Sequence, residues 1–566
     1  MWGVFCMDFK FKTKDDVTLV LGGEAGQGIQ TVEQILLWAF KMAGYNVCAS
    51  KEYMSRVRGG QNSTQIRVSS RRVSAYKEHT DLLVALSPGA LEHLKNRIYP
   101  DTVVMGDEKD VEYPALGLPF LKLAQEIGSP IYANIIAAGA VCNLFQVDAD
   151  IFNQCLTAMF SRKGEEILQK DIQAGREGYQ MAESWGKVEV ERDPSVADQV
   201  LLNGSEAVAL GCMSGGCKFI ASYPMTPSTP VQVYMAEHGR EVGVVFEQAE
   251  DEIAAINMAL GASYTGASSM VATSGSGFAL MTEAVGLSGM TETPVVIYIG
   301  MRPGPAVGLP TRSSQEDLDL ALYSGPGEFA RAIFAPGRLE DAYQLSQRAF
   351  QLAEEYQIPV FILSDQYLAD LHYNLPEEDL VDLKWESYLV KTEEDYQRYQ
   401  LTRNGISPRG VPGYGGGLVV VDADEHDEDG HITEDLELRS RMVEKRYHKL
   451  QNLRKEALPP TLYGEEDCEV LLVGWGSTYH PLEEARRKLD KDDLGFLHFQ
   501  QVYPLHPDTE KYLAGKKTVA YENNIKGQFS NLLKLEYGVD IQERVAKYNG
   551  MPFSVEEVLR SVREVL

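Results

Sequence analysis

The sequence has few cysteines, and none of them forms a C-x-x-C pair. Seven are scattered along 566 residues: Cys6, Cys48, Cys142, Cys155, Cys212, Cys217 and Cys468. Disulfide frameworks and the ligand sets of zinc or iron–sulfur sites use paired, closely spaced cysteines. The pattern therefore argues against a disulfide-stapled protein and against a metal cluster held by this chain alone.

Long hydrophobic runs are also missing. No stretch approaches the roughly 20 apolar residues that cross a bilayer, so we expect no membrane partner. Residues 1–7 are apolar, but they are too few for the core of a signal peptide and are followed by Lys10, Lys12 and Lys14. These features predict a cytoplasmic protein.

Positive charge is scarce as well. The 53 Lys and Arg residues against 82 Asp and Glu residues leave a net charge of −29. Such a chain repels phosphate backbones, and no basic patch interrupts it, so we expect no nucleic-acid partner. The 44% apolar and 24% charged composition is typical of a folded chain, and the length predicts about three to four domains.

Short apolar stretches alternate with helical stretches, which predicts the α/β class with parallel sheets. The predicted strands lie near residues 17–21, 46–50, 81–85 and 102–105 in a first module, near residues 218–222, 242–246, 269–273, 294–300 and 360–363 in a second, and near residues 469–473, 494–498 and 518–522 in a third. Residues 187–197 are typical of a linker. Residues 376–450 are charged and irregular, as in a long surface excursion or an interface.

A glycine-rich turn joins the first predicted strand to the first predicted helix. Its glycines are Gly22, Gly23, Gly26 and Gly28. They do not follow the G-x-G-x-x-G dinucleotide pattern. One interpretation is an anion or coenzyme site formed by Gly26, Gly28 and a cation such as Arg58. The other is a tight strand-to-helix turn, and the sequence favours neither.

Hydroxyl side chains line the loop Tyr223-Pro-Met-Thr-Pro-Ser-Thr-Pro after a predicted strand. Three prolines stiffen this loop, so its hydroxyls lose little conformational freedom on binding. Open α/β sheets bind ligands at the carboxyl ends of strands. Ser228 or Thr229 could instead cap the next helix, whereas Thr226 lies too early in the chain to do so.

Three consecutive carboxylates, Glu250, Asp251 and Glu252, open a helix rich in alanine. The helix dipole favours acids in a first turn by about 0.3–1 kcal/mol each. That effect does not explain the small residues that follow, which suit close packing against a flat group with a carboxylate at its edge.

These elements resemble a known enzyme family. Glu252 before an alanine-rich helix is similar to the pyrimidine-binding domain of thiamine-diphosphate enzymes. The wider set of motifs resembles the α chain of 2-oxoacid:ferredoxin oxidoreductases, most of all the 2-oxoglutarate branch. That set includes Tyr223-Pro-Met-Thr-Pro-Ser, Thr273-Ser-Gly-Ser-Gly-Phe, Thr291-Glu-Thr-Pro, Arg302-Pro-Gly-Pro and Glu522-Asn-Asn-Ile-Lys-Gly-Gln. The glycine turn and Arg58-Gly-Gly resemble the γ subunit of that family, so nearly the whole chain resembles a γ–α fusion.

The resemblance implies three parallel-sheet modules. They are a Rossmann-like γ domain at 15–186, a thiamine pyrimidine-binding domain at 198–375 and a transketolase C-terminal-like domain at 461–566. A connecting or interface segment at 376–460 lies between the last two.

The resemblance also implies roles for individual residues. Glu252 would activate the cofactor by a hydrogen bond to its aminopyrimidine ring, and Thr226 would lie beside the cofactor and the substrate carbonyl, with Tyr223 and Pro224 as further cofactor contacts. Arg302 would bind the substrate carboxylate. Arg312 is a second candidate for that carboxylate, or else part of an interface ion pair. Asn524 and Gln528 receive no firm role.

The sequence contains no Gly-Asp-Gly, the element that holds Mg²⁺ and diphosphate in this family. The resemblance therefore implies a separate β subunit that carries the Mg²⁺ site and a [4Fe–4S] cluster, in an α2β2 assembly with thiamine diphosphate shared between the chains. Coenzyme A and ferredoxin would be co-substrate and electron partner. We expect no metal on this chain, because neighbours in the run Asp424-Glu-His-Asp point to opposite sides of an extended segment.

The implied reaction converts a 2-oxo acid and coenzyme A to acyl-CoA and CO₂ with reduction of ferredoxin, or the reverse. 2-Oxoglutarate is the favoured substrate, with pyruvate, branched-chain 2-oxo acids and indolepyruvate as alternatives. A non-redox thiamine transketolase or decarboxylase and a non-catalytic scaffold are the other hypotheses.

Overall fold

The computed structural model describes residues 15–55, 60–107, 109, 115–384 and 386–565. The chain divides into two compact units. The first contains the described residues up to Leu202 together with Asp370–Asp379 and Ser554–Glu556, and the second contains Asn203–Ala369, Leu380–Phe553 and the residues from Glu557 onward. In the described part of the chain, no helix has the length and apolar character needed to span a membrane.

The strands of the described residues form three sheets. In chain order they are β1 (Asp16–Glu24), β2 (Asn46–Glu52), β3 (Gln61–Ser69), β4 (Leu82–Ala85), β5 (Val103–Asp107), β6 (Ala115–Leu118), β7 (Val200–Asn203), β8 (Phe219–Ser222), β9 (Val245–Gln248), β10 (Ser269–Ser274), β11 (Val295–Met301), β12 (Ala332–Phe334), β13 (Pro359–Asp365), β14 (His372–Leu375), β15 (Thr461–Tyr463), β16 (Val470–Trp475), β17 (Leu494–Phe499), β18 (Gln501–Tyr503), β19 (Lys517–Glu522) and β20 (Glu543–Ala546).

The α-helices of the described residues flank these sheets. They are α1 (Ile29–Met42), α2 (Gly89–His93), α3 (Phe120–Ile127), α4 (Ala133–Leu144), α5 (Ala149–Phe160), α6 (Glu165–Met181), α7 (Gly204–Ser214), α8 (Thr229–His238), α9 (Glu252–Tyr264), α10 (Gly275–Thr291), α11 (Leu318–Leu322), α12 (Leu339–Tyr356), α13 (Gln366–Asp370), α14 (Leu436–Lys455), α15 (Tyr479–Leu489), α16 (Thr509–Leu513), α17 (Gln528–Tyr537) and α18 (Val555–Val565).

The first unit contains an eight-stranded sheet in the order β6-β5-β4-β1-β3-β2-β14-β7. The β6-β5-β4-β1 part is parallel, but β3 runs antiparallel to both β1 and β2. The expectation of a parallel sheet is therefore correct for only part of this module. The sequence does not reveal β3 because it is polar: Arg67 is 1% exposed and donates to the carboxylate of Asp16.

The second unit contains a seven-stranded sheet in the order β18-β12-β13-β11-β10-β8-β9. All neighbours pair in parallel except β18, which is antiparallel to β12. Strands β10, β11 and β13 are buried along their whole length. Their apolar, β-branched sequences suit a sheet covered on both faces, and the strands predicted near residues 269–273, 294–300 and 360–363 coincide with them. The strand predicted near residues 242–246 begins later, since β9 spans Val245–Gln248.

A five-stranded sheet in the order β15-β17-β16-β19-β20 completes the second unit. One hydrophobic cluster includes buried residues of both of its sheets, among them Ile333 and Leu363 from the seven-stranded sheet and Val473 and Phe499 from the five-stranded sheet. The α/β class with three mostly parallel sheets is confirmed.

Helix α14 lies in the segment predicted to be irregular. The sequence does not predict this packed helix because its buried residues include the charged Lys445 and Lys449 rather than an apolar stripe. The Lys445 Nζ lies 2.5 Å from Glu292 Oε1, and Lys449 pairs with the other oxygen. Although burial alone would raise it, the pKa of Glu292 is held well below its usual range by these ammonium groups. Burial lowers the pKa of Lys449 to about 7.

Helices α7 and α12 pack closely at Gly211, which provides a test of this packing. A Cβ at Gly211 would lie 2.3 Å from the backbone oxygen of Tyr343, whereas a Cβ at Gly261 in α9 would meet no atom within 4 Å. We expect Gly211→Ala to lower the free energy of unfolding by about 1–3 kcal/mol. The control Gly261→Ala should leave it unchanged or raise it by up to about 1 kcal/mol. Thermal unfolding of the two variants measures the difference, and equal midpoints would contradict the packing described.

Candidate active site

Four of the loops that carry candidate residues lie at one edge of the seven-stranded sheet. Strands β11, β10, β8 and β9 are adjacent and parallel, so their carboxyl ends meet at the same edge. Thr226 follows β8, Glu252 follows β9, Ser276 follows β10 and Arg302 follows β11. This edge is where open α/β sheets place ligands.

Glu252 is the first residue of α9. The preceding Asp251 caps this helix, its carboxylate accepting from the Ala254 N–H at 2.7 Å. Glu252 is 4% exposed, and its Oε1 is buried without a hydrogen-bond partner among the described residues. Helix capping thus explains Asp251, whereas Glu252 has an unsatisfied acceptor in the interior, where an unpaired polar group costs about 1–3 kcal/mol.

Gly277 in the first turn of α10 makes room for the Glu252 carboxylate. A Cβ at Gly277 would lie 2.5 Å from Glu252 Oε1 and 2.3 Å from Thr273 Oγ1. Any side chain at this position would displace the carboxylate or the hydroxyl. The Gly-Ser-Gly sequence after β10 therefore maintains the space beside Glu252.

Arg302 fixes the loop that contains Thr226. It is 5% exposed; its Nη1 donates to the Thr226 backbone oxygen at 2.5 Å and its Nη2 to Ser276 Oγ at 3.3 Å. Its Nε is buried without a partner among the described residues. Burial lowers the pKa of Arg302, and the carboxylate of Asp317 opposes that shift. One guanidinium thus joins the loops after β8, β10 and β11.

The hydroxyl-lined loop does not use Ser228 as a helix cap. Ser228 stands at the N-cap position of α8, but no side-chain cap forms. Its hydroxyl donates to the Met225 backbone oxygen at 2.7 Å, so the predicted capping role is wrong for this side chain. Tyr223 and Pro224 are exposed and Thr226 is half-buried.

Asp317 belongs to the site and is not among the predicted residues. Its carboxylate packs against Gly275, where a Cβ would lie 2.2 Å from Asp317 Oδ1. Burial and the neighbouring Glu316 raise the pKa of Asp317 to about 7, against the opposing effect of Arg302. In the sequence Asp317 is one of several neighbouring acids, and nothing in that pattern indicates that this half-buried side chain has a buried Oδ2.

The five-stranded module holds the loop that contains Asp317. The Gln315 Nε2 donates to the Trp475 backbone oxygen at 2.9 Å, and Asn524 donates to the Gln315 backbone oxygen at 3.1 Å. Gln528 donates to the Glu316 backbone oxygen at 2.8 Å. Asn524 and Gln528, which had no predicted role, therefore position this loop within the same chain.

Arg312 lies earlier in the same loop, against the five-stranded module. Its Nη1 lies 3.6 Å from Met551 Sδ, and the backbone N–H of the next residue, Ser313, donates to the Gly550 oxygen at 3.0 Å. The structure brings Arg302, Thr226 and Glu252 to one sheet edge by the contacts described, whereas Arg312 contacts Met551 of the C-terminal module. Its role in substrate binding stays a prediction.

The glycine turn of the first unit leads into α1. Gly26 and Gly28 have φ of 89° and 83°, a left-handed conformation that favours glycine. Asn134 donates to the Gln27 backbone oxygen and holds the turn. Arg58, the predicted cation, lies outside the described residues.

The run Asp424-Glu-His-Asp makes contacts within the chain. Glu425 accepts from Arg446 at 2.9 Å, and His426 stacks on Tyr399 with ring centroids 3.8 Å apart. Ligand atoms of Asp427, Asp429 and His431 lie within 4.8 Å of one another, but Asp427 Oδ1 already accepts from two backbone N–H groups. We assign no metal to this turn.

Comparisons with known proteins identify the family of the chain. A family model described as pyruvate flavodoxin/ferredoxin oxidoreductase, thiamine diphosphate-binding, matches residues 210–445. A second, described as pyruvate ferredoxin/flavodoxin oxidoreductase, matches residues 18–181. Both modules named by these models are therefore present in one chain.

Relatives and a solved structure match over most of the chain. The chain is 31% identical to the 2-oxoacid:ferredoxin oxidoreductase subunit alpha of Sulfolobus sp, over 97% of this chain and 96% of that protein. It is 33% identical to the 2-oxoglutarate synthase subunit KorA of Methanocaldococcus jannaschii, over 57% of this chain and 88% of that protein. A structure of 2-oxoglutarate:ferredoxin oxidoreductase from Magnetococcus marinus with 2-oxoglutarate, coenzyme A and succinyl-CoA bound matches with a TM-score of 0.91 and 31% identity, over 97% of this chain and 99% of that chain. The chain therefore belongs to the 2-oxoacid:ferredoxin oxidoreductase family, as an α subunit with a thiamine-binding domain.

Proposed function

We propose that this chain is the α subunit of a thiamine-diphosphate-dependent 2-oxoglutarate:ferredoxin oxidoreductase. The enzyme interconverts 2-oxoglutarate and coenzyme A with succinyl-CoA, CO₂ and reduced ferredoxin. The observation that carries the proposal is the buried Oε1 of Glu252, which has no hydrogen-bond partner among the described residues and lies at the sheet edge shared with Thr226 and Arg302. The names of the KorA relative and of the ligands in the Magnetococcus marinus structure support 2-oxoglutarate over other 2-oxo acids.

The residues at this edge fit the aminopyrimidine of thiamine diphosphate. Within the described part of the chain, Glu252 has an acceptor without a partner, and Gly277 leaves the adjacent space open. Thiamine diphosphate supplies the electron sink for loss of CO₂ from a 2-oxo acid. Glu252 Oε1 would share a proton with a ring nitrogen, while Tyr223, Pro224 and Thr226 line the loop beside it.

Arg302 provides the cation for the substrate carboxylate. Its contacts with Thr226 and Ser276 hold the guanidinium in place, so binding a carboxylate costs little side-chain ordering. A planar guanidinium suits the carboxylate of a 2-oxo acid. Arg312 is the second candidate for the substrate carboxylate in this proposal.

A separate β subunit completes the enzyme in this proposal. The six cysteines of the described residues are buried and form no disulfide, and the sequence has neither closely paired cysteines nor a Gly-Asp-Gly motif. In this proposal the [4Fe–4S] cluster and the Mg²⁺–diphosphate site therefore belong to the partner. Two copies of each chain form the assembly, with ferredoxin as electron partner. The glycine turn at Gly26 and Gly28, with Arg58, is the proposed site for coenzyme A phosphates, and the domain boundaries 15–186, 198–375, 376–460 and 461–566 are part of the same proposal.

Replacement of Glu252 tests its proposed role. We expect Glu252→Gln to lower kcat by about 10²–10⁴-fold, because an amide cannot exchange a proton with the cofactor ring. The measurement is reduction of a low-potential dye by the co-purified αβ complex at saturating thiamine diphosphate. Direct calorimetric titration of the cofactor into the same complex supplies a second readout, in which affinity should fall.

The matched control is Glu250→Gln. Glu250 is the exposed carboxylate two residues earlier, so its replacement removes the same charge from the same helix start without touching the interior. It should keep wild-type turnover and cofactor affinity. Full activity in Glu252→Gln would instead support a chain that only scaffolds its partner.

A panel of 2-oxo acids tests the reaction and the substrate. With coenzyme A and ferredoxin, we expect the αβ complex to give a higher kcat/KM with 2-oxoglutarate than with pyruvate, branched-chain 2-oxo acids or indolepyruvate. A preference for another acid would correct the substrate and keep the reaction. If no acid reduces ferredoxin although cofactor and cluster are bound, the enzyme is a non-redox thiamine transketolase or decarboxylase.

A further inference from the structure

Asp317 and Arg302 approach the first turn of α10 together. The Asp317 carboxylate packs against Gly275, and Arg302 Nη2 donates to the hydroxyl of the next residue, Ser276. The two charged groups thus contact consecutive residues of one helix. Asp317 Oδ2 and Arg302 Nε are both buried without partners among the described residues. No ion pair joins Asp317 and Arg302 in the part of the chain that the structure describes. Their charges therefore interact through space, without direct contact.

The surroundings of Asp317 place its titration near neutrality. The charged groups that act on it are Glu316 in the same loop and Arg302 at the end of β11. Burial and Glu316 favour the neutral acid, while Arg302 favours the carboxylate. The balance raises the pKa of Asp317 to about 7.

We propose that Asp317 takes up a proton when a carboxylate substrate binds beside Arg302, so that substrate affinity in this enzyme is coupled to pH. This inference rests on the proposed function, because it takes Arg302 as the cation for a 2-oxo acid. Asp317 acts through the charge that it presents to Arg302 and the substrate. Its carboxyl group does not need to touch the reacting atoms.

The direction of the effect follows from the charges. A bound carboxylate adds a negative charge near Asp317, which favours the neutral acid and raises its pKa further. Below pH 7 Asp317 is already protonated and the substrate binds to the uncompensated charge of Arg302. As the pH rises through about 7, Asp317 ionises in the free enzyme and competes with the substrate for that charge. A shift of about one pKa unit on binding corresponds to about a tenfold loss of affinity.

The experiment compares the pH profile of KM in the wild-type αβ complex with that in Asp317→Asn. We expect wild-type KM for the best 2-oxo acid to rise about tenfold between pH 6 and pH 8.5, with kcat following a different profile. In Asp317→Asn the KM should stay low across this range, so the variant binds substrate more tightly than wild type at pH 8.5. A variant damaged only in its folding would bind more weakly.

Two neighbouring acids supply matched variants. Glu316→Gln removes a charge that raises the pKa of Asp317. The midpoint of the rise in KM should therefore move to lower pH, while the total change in KM stays the same. Asp319→Asn, in the same segment but outside the charges that act on Asp317, should keep the wild-type profile. Thermal unfolding of each complex establishes that it is folded.

Calorimetry gives a readout that needs no turnover. An unreactive carboxylate of matching length, glutarate for 2-oxoglutarate or propanoate for pyruvate, is titrated at pH 7.5 in two buffers of different protonation enthalpy. Proton uptake in wild type and its loss in Asp317→Asn are expected. Equal proton uptake in the two proteins, or a KM profile that Asp317→Asn leaves unchanged, would overturn the inference. Failure of every 2-oxo acid to turn over would overturn the proposed function alone, because the titration still decides the role of Asp317.

Discussion

A buried guanidinium organises the candidate site. Arg302 donates to the backbone of the loop after β8 and to a hydroxyl in the first turn of α10, which follows β10 directly. These strands are neighbours in a parallel sheet, so their ends are already close, and the guanidinium fixes the loops against each other. Its charge is then unbalanced inside the protein. A buried cation without a close counter-ion is costly, and an anionic substrate or a nearby acid is what lowers that cost.

The same edge contains two acids with different surroundings. Glu252 sits at a helix start behind Gly277, and Asp317 packs against Gly275. In both cases a glycine in the first turn of α10 is what allows the carboxylate to approach. One short sequence, Gly-Ser-Gly, thus makes contact with all three charged groups of the site: Asp317 through its first residue, Arg302 through its hydroxyl and Glu252 through its last residue.

The elements that the sequence predicts well are those in which local pattern and tertiary role agree. Strands β10, β11 and β13 are apolar because both faces are covered, and Glu252 is recognisable from the small residues that follow it. The prediction fails where charged groups make the buried contacts. Strand β3 has a polar sequence and buries Arg67, and α14 buries two lysines that pair with Glu292. Asp317 belongs to the same class, since the position of its buried Oδ2 depends on a loop held by the distant residues Asn524 and Gln528.

That loop explains why the five-stranded module matters for a site built on the other sheet. The backbone of Gln315 and Glu316 is held by Asn524 and Gln528 at the start of α17, and the side chain of Gln315 reaches Trp475 at the end of β16. Gln315 and Asn524 are fully or almost fully buried, so these bonds are protected from competition with water. Movement of the C-terminal sheet would therefore move Asp317 relative to Gly275 and change the charge that Arg302 experiences. The hydrogen bonds that hold the two sheets of the second unit together also determine the electrostatics of the site.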